Sequence, residues 1–503
     1  MTARARNILL ITSDQQHWNT LGCRNGEIRT PNLDRLAARG TLFNRAYCPN
    51  PTCTPTRASI ITGKYPSQHG AWSLGTKLLE SEHTVGEDLQ AAGVRTALVG
   101  KAHFQPLAGT AEFPSLEAYP TLQDLAFWRR FHGPFYGFEH VELARNHTDE
   151  AHVGQHYALW MEDNGLTGWR DYFRPPTGTN DRQQRTWEIP ERYHYGTWIA
   201  ERSCDLLQGY AQSGERFFLW ASFFDPHPKY LVPEPWDRMY DPAAVTVPAM
   251  VPGEHDANPP HFRLTQTADP DFSPWRESGR GLHGFTSHLH DREELPRDIA
   301  CYYGMVSLMD RQIGRILDRL DELGLAGDTL VVFTSDHGHL FGQHGLTAKG
   351  PFHYEDLVRV PLIVAQPGRV PAGRRSPALQ SLVDFAPSFL SAAGIPVPTA
   401  MTGVDQTDVW YGERESLRDH VLVENRHEPT TIHLRTFIDE RYKLTVYYNR
   451  DYGELFDLAT DPHEIRNLWN VPAARELKND LIRKLLHAEL GREPLPMPRI
   501  AGA

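Results

Sequence analysis

The stretch NILLITSDQQ, residues 7–16, decides the fold. Ile8 to Ile11 are apolar without a break, where a strand with one wet face would alternate. An unbroken apolar run this short is the mark of a strand covered on both faces, as in a parallel sheet. The run gives way at Ser13, Asp14 and Gln15, so polar side chains gather where the strand ends. The same design returns three times. VRTALVG (94–100) is followed by Lys101 and His103, RFFLWASF (216–223) by Asp225 and His227, and DTLVVFT (328–334) by Ser335, Asp336 and His337. In open α/β sheets ligands bind at the carboxyl edge of the strands.

Helix signals fall between these strands. TPNLDRLAARG (30–40) has Thr30 as cap, Pro31 at the first position and Gly40 as stop. VGEDLQAAG (85–93), the long amphipathic MVSLMDRQIGRILDRLDELG (305–324) and LVDFAPSFLSAAG (382–394) read as further helices, and TLFNRAY (41–47) and VPLIVAQPG (360–368) as further strands. The alternation predicts an α/β fold with a large, mostly parallel sheet flanked by helices. Stretches near 105–212 and 229–296 lack periodicity and read as irregular insertions. Their Trp, Tyr and His residues either line a pocket or form a packed cover over the sheet, the kind of insertion that also builds homo-oligomer contacts. Past residue 400, RTFIDERYKLTVYY (435–448) and GELFDL (453–458) alternate, and AARELKNDLIRKLLHAEL (473–490) is helical. They predict a small antiparallel sheet with a helix packed on it. The division expected is a catalytic α/β domain over 1–400 and a smaller C-terminal α+β domain over 401–503.

The bulk numbers narrow the function. Of 503 residues, 40% are hydrophobic and 23% charged, a globular balance. A formal charge of −12 argues against a nucleic-acid partner, which needs a basic face to displace counterions. The cysteines are Cys23, Cys48, Cys53, Cys204 and Cys301; their odd number and the lack of a CxxC indicate neither a disulfide framework nor a structural zinc site. The first apolar run is too short for a signal peptide, and no segment reaches the ~20 apolar residues that span a bilayer. The expectation is a cytoplasmic protein with no membrane partner.

Taken singly, the candidate site residues have ordinary readings. Asp14 suits a turn, Lys101 and His103 a solvated strand end, His227 a loop between prolines, and Lys349 a glycine-rich loop, GLTAKGPFHYE (345–355). Asp336 beside His337 is more pointed, because a carboxylate and an imidazole together suit a divalent cation. Then comes PTCTPTRASIITG (51–63). Cys53 and Arg57 are spaced to share a helical face, and a cysteine at a helix N-terminus has its pKa lowered where anions also bind. The default for a lone cysteine is still a core thiol.

Here the chain resembles the sulfatase family. CTPTR followed by ASIITG is similar to its CxPxR…TG signature. NILLITSDQQ with TPNLDRLAARGTLFNRAY, GKAHF (100–104), DPHPKY (225–230), the segment from Asp328 to Val364, and ELFDLATDPHEIRNLWN (454–470) resemble further family elements in the family's order. The resemblance implies an alkaline phosphatase-like fold and hydrolysis of a small organic or aryl sulfate ester. It implies that Cys53 is oxidised to formylglycine by a separate generating enzyme, which reads the Pro and Arg of the motif during maturation. It further implies that Asp14, Gln15, Asp336 and His337 hold one divalent metal that also touches the modified Cys53. Arg57 and Lys101 would hold the modified side chain, and His103, His227 and Lys349 would surround the sulfate and the leaving oxygen. Two departures bear on this. Gln15 and His337 stand where many members have Asp and Asn, which leaves Ca2+ and Mn2+ both open, the imidazole favouring manganese. The same variants occur in members similar to phosphonate monoester hydrolases and choline sulfatases. A phosphonate monoester or phosphodiester substrate is therefore the alternative, and a non-catalytic anion-binding protein the minor one.

Overall fold

The computed structural model describes residues 4–146, 149–174, 185–289, 294–497 and 499–502. In chain order, the strands of its large sheet are β1 (Asn7–Ser13), β2 (Thr41–Tyr47), β3 (Val94–Gly100), β4 (His140–Leu143), β5 (Arg216–Ser222), β6 (Thr329–Ser335), β7 (Arg359–Ala365) and β8 (Arg374–Ser381). They lie in the order β8-β2-β7-β6-β1-β5-β3-β4. Only β7 is reversed, running against both β2 and β6; the other pairings are parallel.

The continuous apolar strands are buried on both faces, as their sequence requires. Ile8 and Leu10 join Phe218, Trp220, Leu330 and Val332 in one core. Leu9 and Ile11 join Leu219, Ala221, Val331 and Phe333 in the other. Each such aliphatic side chain contributes about 1.5–3 kcal/mol by leaving water. Helices supply the outer layers. Leu33 and Leu36 of α1 (Pro31–Arg39), Trp198 and Ile199 of the helix Tyr195–Ser213, and Ile313 and Ile316 of the helix Leu295–Glu322 fill the second core. Phe385 and Phe389 of the helix Phe385–Ala392 fill the first. Thr30 does precede α1, but its hydroxyl donates to the Asp34 side chain at 3.0 Å instead of capping the backbone.

The stretch near 105–212 is more regular than its composition suggests. It holds the edge strand β4, a helix over Gln155–Asp163 and most of the helix Tyr195–Ser213. Trp128, Trp169, Trp198, Tyr157 and Tyr195 are buried, so these aromatics are a packed cover and not a pocket lining. Residues 147–148, 175–184 and 290–293 of the two insertions lie outside the described residues. Strand β8 escaped the sequence reading because Pro377 interrupts it, and the structure puts it at a sheet edge, where proline is tolerated.

The C-terminal sheet has four antiparallel strands, β9 (His420–Glu428), β10 (Ile432–Asp439), β11 (Tyr442–Tyr447) and β12 (Gly453–Asp457). Leu481, Leu485 and Ala488 of the final helix, Arg475–Gly491, pack on Leu422, Phe437, Leu444 and Leu455, and Tyr65 and Val383 enter the same cluster from the larger lobe. Among the described residues no helix is long and apolar enough to cross a membrane.

Candidate active site

The register of the large sheet creates the site. Strand β1 lies between β5 and β6, with Thr12 opposite Ser222 and Ser13 opposite Ser335. Asp14 and Asp336 therefore leave the sheet side by side. Their backbones are tied down: Asp14 N donates to Asp225 O at 3.0 Å, and Asp336 N to Ser13 O at 3.4 Å. Glycine is required after His337, since a Cβ on Gly338 would meet Asp356 O at 2.4 Å. The helix α2 (Cys53–Thr62) brings the cysteine. All ten of its residues are buried, and Gly63 ends it in the left-handed region at φ 64°.

Cys53, the first residue of α2, meets the strand ends. Its Sγ lies 3.3 Å from His337 Nε2, 3.6 Å from Asp14 Oδ1, 3.2 Å from Lys349 Nζ and 3.9 Å from Lys101 Nζ. Lys101 also donates to the Asp14 carboxylate. Arg57, fully buried one turn along α2, donates from Nε to Asp336 Oδ2 at 2.9 Å and from Nη1 to Ser222 Oγ at 2.8 Å. Lys349 arrives on the short hairpin after β6 and reaches both His227 Nε2 and His337 Nε2 at 3.3 Å.

Hydrogen bonding fixes what these groups present. His337 Nδ1 sits 2.9 Å from Gly338 O, and a carbonyl only accepts, so Nδ1 carries the proton and Nε2 offers a lone pair to the cluster. Burial pushes this imidazole down to about 4, which keeps it neutral. Gln15 Nε2 donates to His339 Nδ1 at 2.8 Å, which turns Gln15 Oε1 the other way; that oxygen is buried with no partner among the described residues. Burial opposes ionisation of Asp14, but Lys101, His227, Arg57 and Lys349 outweigh it and hold the carboxyl well below its usual range. The thiol departs from the sequence expectation. Burial, with Asp14 adding to it, raises the Cys53 pKa and overrides both lysines and the helix N-terminus. As a thiol, Cys53 is kept protonated.

One ligand atom from each of Asp14, Cys53, Asp336 and His337 lies within 4.8 Å of the others. Two carboxylates, a neutral imidazole with an outward lone pair and an orphaned amide oxygen at Gln15 make a donor set that fits a divalent cation. A family model described as Sulfatase matches residues 6–395. The chain belongs to the sulfatase family.

With that family comes the alkaline phosphatase-like superfamily. A second model, the C-terminal region of N-sulphoglucosamine sulphohydrolase, matches residues 342–490. The sulfatase chain is 28% identical to an arylsulfatase of Clostridium perfringens over 97% of its own length and 95% of that protein's. It is also 28% identical to the multifunctional alkaline phosphatase superfamily protein PehA of Trinickia caryophylli, covering 96% and 94%. Among solved structures, the phosphonate monoester hydrolase of Agrobacterium radiobacter superposes with a TM-score of 0.79 at 26% identity, covering 97% and 96%.

The structure of this sulfatase thus gathers Asp14, Gln15, Cys53, Arg57, Lys101, His227, Asp336, His337 and Lys349. His103 stands at the border of the group: its backbone N donates to Glu117 Oε1 at 2.9 Å, and burial, then Arg145, Lys101 and Arg57, push its ring well below its ordinary pKa. Sequence reasoning passed over the supports. Ser222 braces Arg57, and His339, itself 2.8 Å from the Tyr230 hydroxyl, orients Gln15. Their signal was present, since each falls at or just past the end of a strand already singled out. It also passed over Arg145, just past β4, and His283, whose pKa is pushed well down by burial and then by Lys349.

Proposed function

We propose that the chain hydrolyses a sulfate monoester of a small organic alcohol or phenol, with Cys53 matured to formylglycine and a divalent metal beside it. The observation that carries this reading is the convergence on one buried atom, Cys53 Sγ, of two lysines, a carboxylate and an imidazole within 3.9 Å.

Formylglycine at position 53 would supply a hydrated aldehyde, one hydroxyl as nucleophile toward sulfur and the other as the means of releasing sulfate when the aldehyde re-forms, the water of hydrolysis entering when that aldehyde is rehydrated. A divalent metal, manganese or calcium, would be held by Asp14, Gln15, Asp336 and His337 and would supply positive charge to the anionic ester. The remaining work falls to the chain's own side chains. Arg57 and Lys101 bind the residue-53 side chain and the two carboxylates that frame it. Lys101 and Lys349, both buried, face the position of an anionic ester and stabilise charge that builds there. Lys349 lies 3.2 Å from Cys53 Sγ and 3.3 Å from His227 Nε2. This pair gives a proton to the departing oxygen, His227 holding the lysine in place. Burial, with Arg145, Lys101 and Arg57 adding to it, keeps His103 neutral, so its ring can accept a proton and does not retain it.

A second reading is favoured by Gln15 and His337 and by the phosphonate monoester hydrolase likeness. In it the same groups act on a phosphonate monoester or phosphodiester, which carries one negative charge as a sulfate ester does. Peptide mass at Cys53, with kcat/KM on matched aryl sulfate, phosphonate monoester and phosphodiester, decides. A loss of about 18 Da at Cys53 and preference for the sulfate are expected. Preference for the phosphorus esters by orders of magnitude would install the second reading. An unmodified Cys53 with no turnover from a host that makes the generating enzyme would leave only anion binding.

A further inference from the structure

The cluster around Cys53 has more positive charge than its carboxylates consume. Asp14 and Asp336 take Arg57 and Lys101, and Lys349 faces Cys53. Arg145 is a further cation, only 7% exposed. Leu143 of β4 pairs with Gly100 of β3, and Ala144 N donates to Gly100 O at 3.1 Å, so Arg145 follows at the level of Lys101–His103 on the carboxyl edge. Among the described residues its guanidinium makes no hydrogen bond or ion pair; Nε is sealed without a partner, whereas the two terminal nitrogens are not sealed. Glu117, the acid that bears on it most, has one carboxylate oxygen accepting His103 N at 2.9 Å and the other Gln105 N at 2.7 Å. A buried guanidinium that has a carboxyl near it but no hydrogen bond to it leaves its donors unsatisfied, which is costly to keep.

Its place in the sheet says what it faces. Strand β4 is three positions from β1, with neighbouring strands about 4.8 Å apart. Lys101, one strand nearer, touches Asp14; Arg145 touches neither Asp14 nor Cys53, though its charge is felt at both. An anion bound by Arg145 therefore sits beside the reacting ester and not on it.

Resting on the sulfatase reading above, we propose that Arg145 is a specificity-determining residue that binds a second anionic group, a carboxylate or a second sulfate, on the alcohol side of the substrate. The planar fork of a guanidinium matches two oxygens of either group. The test compares phenyl sulfate with its ortho-, meta- and para-carboxylated forms and with phenyl disulfates, for the mature full-length protein and for Arg145→Ala, Arg145→Gln and Arg145→Lys. In the unsubstituted protein, at least one anionic ester should exceed phenyl sulfate in kcat/KM by about tenfold or more, the worth of a charge-assisted hydrogen bond. That ratio should fall to near one in Arg145→Ala and Arg145→Gln and return in part in Arg145→Lys. The carboxylated and disulfated arms name the anion. A ratio unchanged by the substitutions, or no preference in the unsubstituted protein, overturns the proposal. Calorimetric Kd values for the hydroxybenzoates and phenyl-sulfate products against phenol give the same ratio without turnover. If no sulfate ester is hydrolysed, the parent reading fails while this binding ratio still decides on Arg145.

Discussion

Two parts of this molecule bury charge, and they do so in opposite ways. At the carboxyl edge of the large sheet, Arg57, Lys101 and Lys349 gather round Asp14, Asp336 and Cys53, with Arg145 beside Glu117 at the border, and two valences stay open: the His337 lone pair and Gln15 Oε1. Where the small sheet meets the large lobe, one lysine serves several acids. Lys443, 1% exposed, contacts Glu464 and lies 3.4 Å from Glu355; Glu355 accepts from the Tyr47 hydroxyl at 3.0 Å, and Glu454 from the Tyr447 hydroxyl at 2.6 Å. Here the acids lack cations, and burial pushes Glu454 up to about 7 and Glu464 to about 8. Burial of ionisable groups alone thus does not mark a reactive centre. What marks one is an excess of one sign together with donors and acceptors aimed at a common point.

If that contrast holds, the two clusters separate activity from stability. The largest effect is expected from Cys53→Ala, which should lower kcat by about 10^4-fold or more, as loss of a covalent nucleophile does, with little change in Tm. Retained turnover would refute the nucleophile. Next is Lys443→Met. Removing one partner of a buried ion cluster costs about 3–5 kcal/mol, so denaturant unfolding should show a loss of that order while kcat/KM per folded molecule holds. An equal fall in kcat/KM would merge the two clusters into one machine. Its counterpart, Lys349→Ala, should cost about 10^2–10^3 in kcat/KM, the scale of one charge-stabilising donor, and leave the unfolding midpoint near the parent value. The smallest effect is the pH dependence from Glu454. Its folded pKa lies above the unfolded one, so its neutral form is favoured by folding. Stability from this group is full below about pH 4.5 and is lost as pH rises to about 7, by roughly 3 kcal/mol at most. Glu454→Gln should flatten the stability profile across that window; an unchanged slope would place the titration elsewhere.

Much of this arrangement was legible in the chain. Strands β1, β3, β5 and β6 announce themselves as apolar runs that break into Asp14, Lys101, Asp225 and Asp336, because a strand covered on both faces leaves no other place for polar groups. Of the twelve strands labelled above, three were not legible. β4 is four residues long inside a stretch with no period, β8 contains Pro377, and β9 is buried through Val421–Asn425 and so lacks the alternation of its neighbours. Arg145 was hidden with β4. The direction of the Cys53 pKa was missed because the local helix argument is right in sign but smaller than the burial that only the tertiary structure supplies.

The helix that carries Cys53 is buried along its whole length, and this turns chemistry into timing. If Cys53 is converted as proposed, the enzyme that converts it would have to reach it in the nascent or unfolded chain, before the large sheet closes over the helix. Molecules that fold first would stay thiols. On that reading the specific activity of a preparation is set by the relative rates of synthesis, folding and modification, and later incubation with the modifying enzyme under native conditions should not raise it.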